Sequence, residues 1–238
     1  MRQWLGSIAF TAFLFVSVPV YAMLLFITLP LRDDPYRWAI RWVVAVFFVL
    51  RKLCRLSYRV EGIENLPGAG SVILMKHSST WETLAQIQIF PRQSWVLKQE
   101  LLWIPLFGWA LRFLEPIAID RKGGAAAVQQ VLAQGQSRLA QGRCVVIFPE
   151  GTRMPAGQTR RYGLSGALLA SATGKPIVPV AHNAGYFWPR RGWLKRAGVV
   201  RVVIGEPIPT AGRDARQIND DVQRWIEAQV ARLAAEGG

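Results

Sequence analysis

Two side chains in the first half of the chain have the types and spacing of a general base and its orienting acid. His77 follows the apolar run at residues 71–75, and Glu82 lies five residues further on. Five residues of helix would turn the two side chains about 140° apart, so His77 must lie in the turn before a helix if Glu82 is to reach it. In that geometry Glu82 accepts the Nδ1 proton of His77 and leaves Nε2 free as a base. Alone, such a pair is weak evidence for catalysis.

A second polar group follows another apolar run, at residues 144–148. Residues 148–153 read Phe-Pro-Glu-Gly-Thr-Arg and present a carboxylate, a hydroxyl and a guanidinium together. In an open α/β sheet, ligands bind beyond the carboxyl ends of the strands. Arg153 suits a phosphate or a carboxylate because its fork donates two parallel hydrogen bonds. Without support from elsewhere, the same run is also consistent with a turn that carries a solvated ion pair.

These residues resemble four sequence blocks of the glycerolipid acyltransferase family. His77-x4-Glu82 resembles the family's H-x4-D block, and residues 148–153 are its F-P-E-G-T-R block. The residues that match K-x2-L-x6-G-x12-R, with every spacer intact, are Lys98, Leu101, Gly108 and Arg121. Residues 177–180, Ile-Val-Pro-Val, match a V-P-V strand. The four blocks keep the family's order over residues 76–180, so the resemblance is specific.

The resemblance implies a reaction. Family members move a fatty acyl group from acyl-CoA or acyl carrier protein to the free hydroxyl of a lysophospholipid, without a covalent acyl-enzyme. The expected acceptor is the sn-2 hydroxyl of 1-acylglycerol 3-phosphate, which would give phosphatidic acid for phospholipid biosynthesis. No cofactor is implied, since the acyl thioester is itself a substrate. The alternatives within the family are transfer to glycerol 3-phosphate or to a lyso-ornithine lipid.

The resemblance also implies a role for each matched residue. His77 would take the hydroxyl proton, a step that contributes about 10²–10⁴-fold, and Glu82 would orient His77. The residues expected to bind the acceptor are the cations Lys98, Arg121 and Arg153 at its phosphate, and Glu150, Gly151 and Thr152 around its glycerol. The three cations favour an acceptor that bears a phosphate. Lys98 is also consistent with an exposed cation at a strand end, and Arg121 with a solvated pair beside Lys122.

Two residues depart from the family's pattern. Glu82 stands where the family has aspartate and is one methylene longer, and Lys76 stands where asparagine is frequent. We expect Glu82 to be a tolerated variant, because both carboxylates can accept the same imidazole proton. The role of Lys76 stays open.

An apolar segment precedes these blocks. Residues 4–31 contain no charged side chain, and a straight helix of that length is about 42 Å long, whereas the hydrocarbon core of a bilayer is about 30 Å thick. Pro19 interrupts the segment, so it either spans with a tilt or bends and stays in one leaflet. The apolar run continues well past the small residue Ala22, which argues against a cleaved signal peptide.

A second apolar run, residues 42–50, is too short to span a bilayer. We predict that it forms the second arm of a helical hairpin, with neighbouring arginines and tryptophans at headgroup depth. Residues 32–55 carry six Lys and Arg against Asp33 and Asp34, while only Arg2 precedes the first segment. The positive-inside rule therefore predicts that the remaining chain faces the cytoplasm, and we expect the protein in the inner membrane. The net charge of +14 fits anionic membrane lipids as partners.

Beyond residue 57, short β-rich runs alternate with helical patterns. The predicted strands are residues 71–75, 94–97, 117–119, 144–148, 177–180 and 199–204, and the clearest helices are residues 124–141 and 215–235. This alternation predicts an α/β fold with a mixed, mostly parallel sheet covered by helices. We predict two domains, an N-terminal membrane-anchoring hairpin at residues 1–56 and a cytoplasmic acyltransferase domain at residues 57–238.

Several other classes of protein are disfavoured. Hydrophobic residues make up 51% of the chain, which excludes a disordered protein. With two cysteines and two histidines, we predict no metal site. Ser165 lies in a run that approaches the nucleophile elbow of a serine esterase, but no acidic residue separates it from His182, as that fold requires. We expect His182 to be a hydrogen-bonded loop histidine.

Two non-enzymatic interpretations concern the basic residues. Residues 186–196 mix aromatic side chains with four cations, as do loops that bind nucleic acid. Beside a membrane anchor, a loop at the lipid interface is favoured, and we predict no nucleic-acid partner. The remaining alternative to an enzyme is a membrane-anchored scaffold whose basic face holds anionic lipid.

Overall fold

The chain begins with two long helices that lead into the sheet. The computed structural model describes residues 1–28, 34–68 and 70–237. Helix α1 (Arg2–Thr28) continues through Pro19, and helix α2 (Pro35–Cys54) follows. Asp34 caps α2, since its side chain accepts a hydrogen bond from the backbone N–H of Tyr36. Residues 29–33, which include Arg32 and Asp33 of the charge count above, lie outside the described residues.

One mixed sheet forms the centre of the molecule. Within the described ranges its seven strands are β1 (Leu56–Glu61), β2 (Val72–Met75), β3 (Gln93–Lys98), β4 (Ile117–Ile119), β5 (Cys144–Ile147), β6 (Ile177–His182) and β7 (Gly198–Ile204). They lie in the order β1-β7-β6-β2-β5-β3-β4. Neighbouring strands are parallel except for the antiparallel pair β6–β7. The predicted mixed, mostly parallel sheet is confirmed.

Helices cover both faces of this sheet. After α1 and α2 come α3 (Trp81–Ile89), α4 (Phe107–Arg112), α5 (Ala125–Ala140), α6 (Ser165–Thr173), α7 (Ala184–Phe187) and α8 (Ala215–Ala235). One core layer contains side chains of α1, α2 and α3, and the other contains side chains of α5, α6 and α8. Alternate residues of a strand serve the two layers: Ile73 points into the first and Leu74 into the second. The predicted helices at 124–141 and 215–235 are confirmed.

The topology brings the carboxyl ends of four strands to one edge. Strand β2 is central and pairs in parallel with β5 and β6, while β3 lies beyond β5. Parallel neighbours end at the same side of a sheet. The ends of β2, β3, β5 and β6 and the segments that follow them therefore converge. They carry the predicted site residues except Arg121, which follows β4, the parallel neighbour of β3.

The sequence did not predict strand β1. It lies at the edge of the sheet beside β7, and it carries the charged residues Arg59 and Glu61. A half-exposed edge strand tolerates charge, so it lacks the continuous apolar run that marks the buried strands.

The two N-terminal helices pack on the sheet as well as on each other. Phe10 of α1 and Val43, Val46 and Leu50 of α2 are fully buried in the core layer that α3 shares. The opposite side of α1 stays exposed and apolar, with Phe15 73% exposed. By length and composition α1 can cross a membrane. The domain boundary near residue 56 stays a prediction, since the hairpin and the sheet share one core layer.

Candidate active site

His77 lies in the turn between β2 and α3. Its Nδ1 is 2.9 Å from Glu82 Oε1, and its ring stacks on Phe148 with 4.2 Å between the centroids. A carboxylate oxygen can only accept at this contact, so Nδ1 donates its proton and Nε2 is left as the acceptor. The hydrogen bond that the sequence predicts between these two residues is present, and their catalytic roles stay predictions.

Glu82 is completely buried, and one of its oxygens accepts three hydrogen bonds. Besides His77 Nδ1, Oε1 accepts from the backbone N–H groups of Ser78 and Ser79, each at 2.8 Å. Burial raises the pKa of the Glu82 carboxyl, but the hydrogen bonds from His77 and from the Ser79 N–H hold this pKa below its ordinary value. The carboxylate therefore stays charged while it holds the imidazole.

His182 is the second histidine of the site, and sequence reasoning assigned it no catalytic role. It is the last residue of β6, not a loop residue as predicted, because the ladder with β7 extends to the pair His182 and Val202. The hydrogen bonding is as predicted: Ala184 N–H donates to Nδ1 at 3.2 Å, so Nε2 carries the proton and donates to the Lys76 carbonyl at 2.8 Å. Burial lowers the pKa of His182, which keeps the ring neutral.

A cavity of about 430 Å³ opens beside His77. The predicted residues that line it are His77, Lys98, Arg121, Thr152 and Arg153. The structure therefore brings the candidate base and all three predicted cations to one space. The same wall includes an arginine that sequence reasoning did not single out, although it lies in the basic and aromatic run at residues 186–196. This residue is Arg190, and its Nη1 donates to the Arg153 carbonyl at 2.8 Å.

The three predicted cations differ in their contacts with the rest of the protein. Arg121 Nη1 donates to the Gly151 carbonyl at 2.7 Å, and Arg153 Nη1 donates to Thr80 Oγ1 at 2.5 Å. Lys98 ends β3 and pairs with Glu100 at 2.8 Å, where both side chains are nearly half exposed. Lys98 therefore fits both the predicted binding role and the alternative of an exposed strand-end cation.

Much of the remaining cavity wall is apolar. It includes Trp42 of α2, Phe107 and Leu111 of α4, and Phe148. The same three residues of α2 and α4 also line a second space of about 70 Å³ between the hairpin and α4. One continuous wall thus joins a cationic region beside His77 to an apolar region beside the hairpin, an arrangement that suits an amphiphile.

Thr152 lines the cavity, whereas Glu150 and Gly151, which were also predicted to surround the glycerol, do not. Gly151 has a positive φ of 67° and contributes its carbonyl to Arg121. The Glu150 carboxylate turns into the interior, where Oε1 accepts from Lys76 Nζ and Oε2 from the His77 N–H, both at 2.8 Å. Burial raises the pKa of the Glu150 carboxyl against the opposing effect of Lys76. Glu150 therefore lies behind His77, outside the wall of the cavity.

Lys76, whose role the sequence left open, is almost completely buried. Its ammonium group lies 2.8 Å from Glu150 Oε1 and 2.8 Å from Glu227 Oε1 of α8, and it donates to the Gln158 carbonyl at 3.0 Å. The sequence could not reveal this contact, because Glu227 lies 151 residues further along the chain. Among the residues described, no group of three or more His, Cys, Asp or Glu is placed to hold a metal ion.

The basic and aromatic run at residues 186–196 is partly buried. Phe187 and Trp188 belong to the core, and Lys195 Nζ lies over the Trp188 ring at 5.3 Å. Helix α1 covers one side of the run, where Lys195 N–H donates to Ser7 Oγ at 2.9 Å. Trp193, by contrast, is 65% exposed. The predicted contact with the lipid interface therefore concerns the exposed part of this run, and there it stays a prediction.

Comparisons with known proteins identify the family of the chain. A family model described as Acyltransferase matches residues 57–183. The 1-acyl-sn-glycerol-3-phosphate acyltransferase of Pseudomonas aeruginosa is 39% identical, over 98% of this chain and 93% of that protein. The 1-acyl-sn-glycerol-3-phosphate acyltransferase alpha of Homo sapiens is 28% identical, over 79% of this chain and 69% of the human protein.

A solved structure has the same fold. The 1-acyl-sn-glycerophosphate (LPA) acyltransferase of Thermotoga maritima matches with a TM-score of 0.81 at 23% identity, over 98% of this chain and 97% of that one. At this identity the likeness concerns the fold alone. The family model and the 39% identical relative carry the assignment: this chain belongs to the acyltransferase family and is an enzyme of that class.

Proposed function

We propose that this enzyme transfers a fatty acyl group from an acyl thioester to the sn-2 hydroxyl of 1-acylglycerol 3-phosphate, giving phosphatidic acid and a free thiol. The observation that carries the proposal is the cavity in which His77 shares a wall with Lys98, Arg121 and Arg153 and with apolar side chains. A lysophospholipid has the matching parts: a hydroxyl for the base, a phosphate for the cations and a chain for the apolar wall. The related enzymes of Pseudomonas aeruginosa and Homo sapiens are named for this acceptor, which supports the proposal.

His77 is the general base of the proposed reaction. Its Nε2 takes the proton of the sn-2 hydroxyl as that oxygen attacks the thioester carbon, and the C–S bond breaks when the tetrahedral intermediate collapses. The imidazolium then returns the proton to the leaving thiolate. Glu82, which accepts the Nδ1 proton at 2.9 Å, stabilises the imidazolium and fixes its orientation.

The cations position the acceptor for this step. A guanidinium has five N–H donors, so Arg121 and Arg153 retain donors for a phosphate beyond the single protein contact described for each. Lys98 and Arg190 add charge to the same wall. Holding the phosphate places the hydroxyl beside His77 and converts a bimolecular encounter into an ordered one. This basic set favours a phosphate-bearing acceptor over a lyso-ornithine lipid.

The proposed location is the inner membrane, with the cavity on the cytoplasmic side. Helix α1 has the length and apolarity of a membrane span, and the basic residues of α2 follow it, in line with the positive-inside rule. The acceptor's chain then runs along the apolar wall towards the lipid while its headgroup occupies the cationic part of the cavity. Acyl-CoA and acyl carrier protein are both candidate donors.

The test is an acyl-transfer assay with purified full-length protein in lipid vesicles. The protein is incubated with a labelled acyl donor, either acyl-CoA or acylated carrier protein. The acceptor is 1-acylglycerol 3-phosphate, glycerol 3-phosphate or lyso-ornithine lipid. We expect labelled phosphatidic acid from the first acceptor and a loss of at least ~10²-fold in turnover for His77→Ala. Preference for another acceptor would overturn the assignment of the substrate, and transfer to none would favour the lipid-binding scaffold.

A further inference from the structure

The peptide group that joins Lys76 to His77 is held at both ends by distant side chains. Its carbonyl oxygen, on Lys76, accepts from His182 Nε2 at 2.8 Å, and its N–H, on His77, donates to Glu150 Oε2 at 2.8 Å. All four residues are buried. Rotation of this peptide group would break buried hydrogen bonds, which is costly because no water replaces them.

The next peptide group is held in the same way. The His77 carbonyl accepts from the Met154 N–H at 2.7 Å, and the Ser78 N–H donates to Glu82 Oε1 at 2.8 Å. The backbone on both sides of His77 is therefore fixed by four separate contacts. Since the position of a side chain follows from its backbone, these contacts help to set the position of the imidazole.

Lys76 supplies the charge that this arrangement needs. Glu150 is a buried carboxylate, and a buried charge requires a partner. Lys76 Nζ contacts Glu150 Oε1, the oxygen that does not bind His77. The remaining acceptors of the ammonium group are the Gln158 carbonyl and Glu227, so its three donors are used. Glu227 in turn accepts from Tyr162 OH at 2.6 Å.

We propose that Lys76 is a positioning residue: through Glu150 it fixes the backbone at His77, and Glu227 of α8 anchors the lysine. Lys76 does not line the cavity described above, so it acts through His77 and not on the substrate. The proposal rests on the proposed function, in which His77 is the base.

The test compares Lys76→Met with wild type in the acyl-transfer assay. We expect kcat to fall at least ~10-fold, because small displacements of a base are costly, while KM for 1-acylglycerol 3-phosphate changes less than about twofold, since the cavity cations are untouched. Hydrogen exchange should accelerate at residues 76–80 but not in α5. Lys175→Met removes a lysine outside this network and is the matched control.

A second variant keeps the test decisive if Lys76→Met does not fold. Glu227→Gln leaves the Lys76–Glu150 pair in place, and we expect a roughly 2- to 5-fold lower kcat with faster exchange at residues 76–80. Asp220→Asn, an exposed change on the same helix, is its control. The proposal would be overturned by an unchanged kcat in a folded Lys76→Met variant. If Lys76→Met does not fold, an unchanged kcat in Glu227→Gln would overturn it. An inactive wild-type protein would instead overturn the proposed function.

Discussion

The two oxygens of Glu82 lie in different surroundings. Oε1 accepts three hydrogen bonds, whereas Oε2 has no hydrogen-bond partner among the residues described and lies 3.9 Å from His182 Nε2. The longer side chain of glutamate therefore delivers one oxygen to the His77 turn. The predicted tolerance of glutamate at this position has a geometric basis in these contacts.

Two substitutions of Glu82 should separate the effect of the side chain's length on catalysis from the effect of its charge. Glu82→Asp withdraws the carboxylate by about 1.5 Å, so it cannot keep all three hydrogen bonds, and we expect a moderate loss of kcat. Glu82→Gln keeps the length but cannot stabilise an imidazolium, and we expect a loss of at least ~10²-fold. Initial rates at saturating substrate measure both. Full activity of the Gln variant would contradict the assigned role.

Arg190 offers a test of the cationic wall. If it binds the acceptor's phosphate, Arg190→Ala removes hydrogen bonds to a charged group, which contribute about 1.5–3 kcal/mol, and KM should rise about tenfold or more with a smaller effect on kcat. Arg191→Ala changes the neighbouring exposed arginine and serves as the control. Equal KM values for the two variants would exclude Arg190 from acceptor binding.

Helix α5 packs on α6 through a glycine. A Cβ added at Gly135 would lie 2.6 Å from Leu169 Cδ2. Gly135→Val therefore overfills this contact, and we expect a loss of about 1–3 kcal/mol in the free energy of unfolding. Ala133→Val, at an exposed position of the same helix, shows the effect of a valine that meets no buried neighbour. Chemical denaturation measures both, and an unchanged or higher free energy of unfolding for Gly135→Val would show that this contact accommodates the larger side chain.

The sequence predicted the elements whose patterns are local. Helix α8 and the buried strands have continuous apolar periodicity, and the predicted ranges agree closely with the structure. Strand β1 was not predicted because its charged residues interrupt the apolar run by which the buried strands are recognised. The His77–Glu82 contact spans five residues and was predictable, whereas the contacts of Lys76 with Glu150 and Glu227 depend on the order of the strands and the placement of α8.

Helix α1 joins the folded core to the outer surface of the protein, because its two apolar faces have different surroundings. Phe10 is fully buried and meets the Trp188 ring edge-on at 5.4 Å, whereas Phe15 is exposed. The inner face belongs to the core of the folded protein. Within the described part of the chain, the outer face stays uncovered over much of its length, as a face in contact with lipid would be.

Charge on the outer face should weaken membrane binding without unfolding the protein. A buried aspartate in a membrane helix costs about 3 kcal/mol at the bilayer centre, so Phe15→Asp should shift protein from the floating to the soluble fraction in a vesicle flotation assay. Phe15→Leu is the control. Phe10→Asp should instead lower the thermal unfolding midpoint in detergent. Unchanged flotation of Phe15→Asp would place this face outside the membrane.

The long separation between Lys76 and Glu227 has a consequence for synthesis. Helix α1 and strand β2 are synthesised early, whereas Glu227 of α8 is added 151 residues after Lys76. The first helix of a nascent chain is therefore complete well before the ammonium group has its full set of partners. Acyl transfer should therefore reach its full rate only after α8 has been synthesised.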